Sequence, residues 1–132
     1  LDEETNPATV IAADGDRLPG SPKHSFSLSA DWQIPLTSDF DLVAYANYVY
    51  SGSRPNAISR TIAGLDYPDL PSSNIVNLTV GIGHDNGVTV SLFANNLFDE
   101  RNPQYQADIG TALQSVVVNR PRTIGLRAGY QF

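Results

Sequence analysis

The sequence predicts an all-β fold: an antiparallel up-and-down sheet that belongs to a transmembrane β-barrel. Polar and apolar residues alternate with a period of two in several windows, which is the pattern of strands with one wet face and one apolar face. Short and long connections alternate between these windows along the chain. The longest windows also have the length that a tilted strand needs to cross a bilayer.

Five windows carry the alternation. Residues 25–34 alternate without a break, and a helical period of 3.6 cannot produce that pattern. Every even-numbered position is apolar in all five windows, which are residues 25–34, 40–50, 76–82, 88–94 and 123–132. A possible sixth strand lies near Thr5 to Ala12.

The connections between the windows differ in length. Residues 35–39 form a short turn, and Asn86-Gly87 is a hairpin signal because these residue types accept the positive φ that tight turns require. The polar segments are longer and cover residues 14–23, 52–73 and 99–117. Transmembrane barrels have short periplasmic turns and longer extracellular loops, so this arrangement favours a barrel.

The lengths of the windows agree with a bilayer. The 11 residues of window 40–50 span about 36 Å and rise about 28 Å at a tilt of about 40°, against an apolar band of about 25 Å. We expect aromatic residues at both rims of the predicted sheet. One rim holds Trp32, Phe40, Tyr130 and Phe132, and the other holds Phe26, Tyr48, Tyr50 and Phe98. A soluble antiparallel sandwich with a dry core alternates in the same way and stays open as the alternative.

Composition excludes several classes of protein. The 132 residues include 8 Lys and Arg against 14 Asp and Glu, and a net charge of -6 argues against a nucleic-acid partner. There is no Cys and there are two distant histidines, so we expect no metal site and no cofactor. No catalytic constellation stands out, so we expect no enzyme. No apolar run reaches a transmembrane helix, and the first four residues lack signal-peptide character.

The number of windows is too small for a closed barrel. Bacterial single-chain barrels start at about eight strands, and an open sheet edge in lipid leaves backbone groups unpaired at several kcal/mol each. Five or six strands therefore predict one arc of a larger barrel. The remainder then lies on another chain or on another part of the same chain.

Two C-terminal motifs resemble a known family. Asn95-Asn96-Leu97-Phe98-Asp99-Glu100-Arg101 and the run from Asn119-Arg120-Pro121-Arg122 to Gly129-Tyr130-Gln131-Phe132 are similar to the end of TonB-dependent outer-membrane receptors. The segment from Arg17 to His24 is similar to the entry into a late barrel strand of the same family. The resemblance covers most of residues 17–132.

The resemblance implies a fold and a function. It implies that residues 1–132 are the last five or six strands of a barrel of about 22 strands, whose plug domain is absent from this chain. It implies TonB-dependent uptake of a scarce solute across the bacterial outer membrane, most often a ferric siderophore, with cobalamin or glycans as other options. The partners would be the rest of the barrel, the plug, TonB through an absent N-terminal segment, and lipid. The alternative function is a soluble sandwich that binds a ligand such as carbohydrate.

Three groups of residues are candidate sites. Receptors of the resembled family contact solutes through extracellular loops, which here hold Arg54, Arg60, Asp66, Tyr67, Tyr105 and Asp108. Arg127 has the parity of the lumen, where it would meet a plug carboxylate or an anionic ligand, and a solvated structural arginine is the alternative. The last strand resembles the signal that the barrel assembly machinery recognises by strand addition, carried by Ile124, Leu126, Ala128, Tyr130 and Phe132. Plain contact with lipid explains the same row.

Overall fold

The computed structural model describes residues 17–57, 61–62, 65–66, 68–108 and 114–132, and their regular secondary structure is all β-strand. In chain order the strands are β1 (Ser25–Pro35), β2 (Phe40–Ser51), β3 (Thr61–Ile62), β4 (Leu65–Asp66), β5 (Ser73–His84), β6 (Val88–Asn95), β7 (Pro103–Asp108), β8 (Gln114–Val118) and β9 (Thr123–Tyr130). No helix within these ranges is long and apolar enough to cross a membrane.

The five long strands form one antiparallel sheet in the order β1-β2-β5-β6-β9. Each strand pairs with the next long strand along the chain, which is the predicted up-and-down arrangement. All five predicted windows are strands of this sheet, although β5 begins earlier than expected, at Ser73, and β9 ends at Tyr130. The possible sixth strand near residues 5–12 lies outside the described residues.

Short and long connections lie at opposite ends of the sheet, as predicted. Residues 36–39 and 85–87 form the short turns, and residues 52–72 and 96–122 form the long connections. Each long connection contains a small hairpin that the alternation did not predict, β3–β4 in the first and β7–β8 in the second. We call the two ends of the sheet the short-turn end and the long-loop end.

Backbone contacts hold the short-turn end together. The amide of Asp85 donates to the carbonyl of Asp39 (3.1 Å), which joins the two short turns. Gly87 has a φ of 90°, as the Asn-Gly signal predicted, and its carbonyl accepts from the amide of Gln131 (2.9 Å). A Cβ at position 87 would collide with the carbonyl of Gln131, so glycine is required there for space as well as for conformation.

The register keeps even-numbered residues opposite even-numbered residues across the whole sheet. Leu42 lies between Ile34 and Ile82, and Leu92 lies between Val80 and Leu126. Because successive side chains point to opposite faces, this register collects the apolar side chains on one face of all five strands. We call this the apolar face and the other the polar face.

The apolar face has no second layer packed on it among the described residues. Leu28, Leu92 and Leu126 are 63%, 53% and 77% exposed, and the only buried hydrophobic residues of this part of the chain are Leu70 and Ala94. A soluble sandwich buries such a face in a dry core, so that alternative is wrong for this sheet. An apolar face of this extent indicates contact with lipid.

The sheet is open. Within the described residues, the outer edges of β1 and β9 pair with no other strand. Unpaired backbone groups are not tolerated in hydrocarbon, so an apolar face in lipid requires both edges to be paired elsewhere.

A charge placed on the apolar face should destabilise the sheet far more than the same charge on the polar face. We expect Leu126→Arg to cost about 2–4 kcal/mol, because position 126 lies in the middle of β9 and faces hydrocarbon. Thr79→Arg is the matched control, since Thr79 lines an open groove of about 500 Å³ on the polar face. Urea unfolding of the complete barrel in micelles measures both values. Equal costs at the two positions would contradict the assignment of the faces.

Candidate functional site

A row of amide side chains crosses the polar face toward the long-loop end. The Nδ2 of Asn47 donates to the Oγ of Ser29 (3.0 Å), and the Nδ2 of Asn77 donates to the Oδ1 of Asn47 (3.2 Å). The Oδ1 of Asn77 in turn accepts from the backbone amide of Asn96 (3.0 Å). This chain of hydrogen bonds runs from β1 across β2 and β5, and it ends where the second long connection leaves β6.

The turn after β6 depends on Asn96. Asn96 is 5% exposed and has a φ of 51°, a conformation that asparagine tolerates better than most residues. Its Nδ2 donates to the carbonyls of Glu100 and Arg120 (both 2.9 Å), and its Oδ1 accepts from the amide of Glu100 (3.0 Å). One buried side chain therefore connects the start of the long connection to its end.

Asp99 makes the second connection between the two ends of this loop. It has a φ of 53°, and its Oδ1 accepts from the backbone amide of Arg122 (2.8 Å). Its Oδ2 accepts from the Nη2 of Arg101 (3.0 Å). The hydrogen bond from the Arg122 amide, and after it the one from the Arg101 side chain, lower the pKa of Asp99 below its ordinary value. The anionic form thus anchors residue 122, directly before β9.

The two long connections are joined to each other. The Nη2 of Arg54 donates to the Oε1 of Gln104 (2.6 Å), and Arg54 is only 8% exposed. The Nδ2 of Asn102 donates to the carbonyl of Ser72 (2.6 Å). A carboxylate oxygen of Glu100 accepts from the amide of Asn74 (2.8 Å), at the start of β5. We call these contacts the loop clamp.

A groove on the polar face holds Arg127 nearer the short-turn end. The groove has a volume of about 500 Å³, and Asp31, Gln33, Tyr45, Thr79, Thr89 and Ser91 also line it. The guanidinium of Arg127 lies 5.4 Å from the centre of the Phe93 ring, so the ring face attracts the cation. Phe93 itself covers Gly125, where a Cβ would approach the ring carbons to 2.7 Å.

Aromatic residues lie at both ends of the apolar face. The Phe26 ring packs against Tyr48 and Tyr50 at the long-loop end, with centroid distances of 5.7 and 5.3 Å. At the short-turn end Phe40 packs on His84 (4.6 Å). There the ring of Tyr130 also lies 6.3 Å from that of Phe132. Aromatic rings at these two levels are typical of the interfaces of a membrane.

The structure distinguishes the predicted loop residues from one another. Tyr105, in β7, is 54% exposed, whereas Arg54 is buried in the loop clamp and is therefore not a solvated loop residue. Asp66 and Asp108 lie at the ends of β4 and β7, and nothing is described of their side chains. Arg60 and Tyr67 lie outside the described residues.

Sequence reasoning missed the residues that hold the loops. Asn47 and Asn77 share the parity of the polar face, and this was the one available signal for the amide row. Asn102 and Gln104 carried no signal, since their partners are 30 and 50 positions away.

An up-and-down antiparallel sheet with a lipid-facing side, a polar side, two aromatic rims and long connections at one end is the wall of a transmembrane β-barrel. The family model described as TonB dependent receptor-like, beta-barrel matches residues 2–97, more than half of the chain. The chain belongs to the TonB-dependent receptor family. The comparisons with curated proteins and with solved structures gave no match.

The family places the chain in the bacterial outer membrane as a receptor and transporter component. Its members are transporters rather than enzymes, and in general they work with a plug and with TonB. The matched range ends within the first C-terminal motif, so it includes four of the five strands of the sheet and stops before β9.

Breaking the loop clamp in one connection should loosen the other. We expect Arg54→Ala to cost about 1–3 kcal/mol of local stability, because it leaves Gln104 without its charged donor. Hydrogen exchange should then rise in residues 103–108 as well as in the connection that contains position 54. The matched control is Arg101→Ala, whose side chain is 62% exposed and whose ion pair with Asp99 is worth about 0–1 kcal/mol. Faster exchange confined to residues 52–72 would contradict the clamp.

Proposed function

We propose that this chain forms the last part of the barrel wall of a receptor that takes up a ferric siderophore, with TonB supplying the energy. The observation that carries the proposal is the combination of a lipid-facing side and a polar side in one sheet of a TonB-dependent receptor barrel. Further strands of the same barrel, about 22 in all, would pair with the outer edges of β1 and β9. The plug would fill the lumen beside the polar face.

The proposal assigns the recognition of an anionic solute to arginines at the long-loop end. The described cations at the long-loop end are Arg17, Lys23, Arg54, Arg101, Arg120 and Arg122, and Arg127 is the one described cation that lies elsewhere. Five described acidic residues lie at the same end, which are Asp66, Asp69, Asp99, Glu100 and Asp108, and the carboxylates of Asp99 and Glu100 are engaged in hydrogen bonds. Iron chelates with carboxylate or catecholate oxygens are anions, and exposed arginines at this end, such as Arg120 and Arg122, would attract them. Tyr105 is exposed at this end and would contact the solute.

Arg127 has a separate role in the proposal. Its guanidinium lies in the groove of the polar face and makes no ion pair with a described residue. We expect it to meet a carboxylate of the plug, or an anionic solute on its way through the lumen.

Uptake by living cells tests the function. A strain that carries the complete receptor should accumulate radioactive iron from at least one ferric siderophore of a panel, and deletion of the receptor gene should abolish this uptake. Deletion of the gene for TonB or addition of an uncoupler should have the same effect. If the cells took up cobalamin or a glycan in an energy-dependent way but no iron, the proposal of a transporter would stand and the proposal of a siderophore as its solute would be overturned. No energy-dependent uptake of any panel member would overturn transport.

We also propose that the alternating row of β9 is read by the barrel assembly machinery. The even-numbered side chains of β9, and that of Phe132 beyond it, are exposed, from Ile124 (59%) to Phe132 (106%). The outer edge of β9 pairs with no described strand, so a strand can be added there. Phe132→Ala should lower the amount of folded receptor in the outer membrane several-fold. Gln131→Ala is the matched control, because it keeps the backbone contact to Gly87 and removes a side chain of the other parity. Equal yields from the two variants would speak against the signal.

A further inference from the structure

A second pocket lies on the polar face at the long-loop end. Its volume is about 330 Å³, and it is lined by Ile75, Asn77, Asn95, Asn96, Asn119, Arg120 and Pro121. Four asparagines and one arginine thus line a single concavity, and no Asp or Glu is among the lining residues. We call it the amide pocket.

Two of the four carboxamides form its rigid floor. Asn77 and Asn96 use their side-chain atoms in the amide row and in the turn after β6. Their orientation is fixed by partners from four different segments of the chain, so the floor cannot rearrange without disturbing the sheet. A site held on rigid elements in this way is preorganised for a ligand.

Two of the other lining residues, Asn119 and Arg120, have hydrogen-bond donors that make no described contact. The Nδ2 of Asn119 is buried and makes no hydrogen bond with any described residue. A buried donor without a partner is costly and rare in folded proteins, and each instance requires an explanation. Arg120 is exposed, and its guanidinium makes neither a hydrogen bond nor an ion pair with any described residue. Two of the lining residues therefore have hydrogen-bond donors without a described acceptor: Asn119 has a neutral amide, and Arg120 has a cationic guanidinium.

We propose that the amide pocket binds an anionic oxygen group, of the carboxylate type, on the transported solute. This rests on the proposed function, which sends the solute past the long-loop end of the polar face. A guanidinium binds a carboxylate through two parallel N–H donors, and the Asn119 amide supplies a further donor to the same oxygens. A metal cation is a poor fit because no carboxylate lines the pocket, and an apolar group would leave the free donors unpaired.

The test uses the receptor purified from outer membranes into micelles, with nitrogen-labelled asparagine, and citrate as the probe. Citrate should shift the side-chain NMR signal of Asn119, assigned by its loss in Asn119→Ala, along a saturating curve. Arg120→Gln should weaken this binding about tenfold or more, which corresponds to about 1.4 kcal/mol. Arg122→Gln is the matched control and should stay within about twofold of the unaltered protein, because Arg122 lies outside the pocket.

Four outcomes would overturn the proposed anion site. The shift of the Asn119 signal does not saturate with citrate, or glucose causes the same shift. Arg120→Gln and Arg122→Gln weaken citrate binding equally, or the Asn119 side-chain amide is already protected from solvent before citrate is added. The last would show that another segment of the protein, such as the plug, fills the pocket. Iron uptake by cells that carry the same variants separates the two proposals. If Arg120→Gln leaves energy-dependent uptake unchanged, only the anion site is overturned. If the unaltered receptor takes up no iron, the proposed function is overturned.

Discussion

The pairing of even-numbered with even-numbered residues is the constraint on which the rest of the structure depends. If one strand slipped by one residue against its neighbour, its apolar side chains would point to the polar face. Its polar side chains would then point to the lipid. The two short turns fix the register of β1 with β2 and of β5 with β6. Long connections join β2 to β5 and β6 to β9, so these two registers depend on the match between faces and, for β6 with β9, also on the contacts of Asn96 and Asp99.

Hydrogen bonds replace a hydrophobic core in this wall. One side of the sheet faces lipid, and buried apolar residues are few among those described, so packing within the chain contributes little specificity. The amide row instead ties three strands together at one level, and the loop clamp ties together the two long connections above it. Polar networks of this kind define a unique arrangement when every member is satisfied. Asn119, whose buried Nδ2 makes no hydrogen bond with a described residue, belongs to neither network.

The sequence predicted the elements that obey the two-faced constraint and missed those that do not. All five long strands followed from the alternation, because each must keep lipid on one side and water on the other. β3 and β4 have two residues each, too few to show a period, and β8 contains Val116, Val117 and Val118, whose run of valines does not alternate. Contacts such as Arg54 with Gln104 arise only when the sheet brings the two connections together, so no local pattern could reveal them.

The motif from Asn95 to Arg101, which resembles the family in sequence, has a structural role. Two of its residues, Asn96 and Asp99, are the only non-glycine positions of the described chain with a positive φ, and their side chains close the base of the second long connection. The motif thus specifies how a strand becomes a loop, a requirement that does not depend on which solute is carried. Asn119 and Arg120, whose side-chain donors make no hydrogen bond with a described residue, stand directly on that framework, and our proposal assigns the contact with the solute to them. A rigid framework and the proposed solute-binding groups can therefore occupy adjacent residues of one loop base.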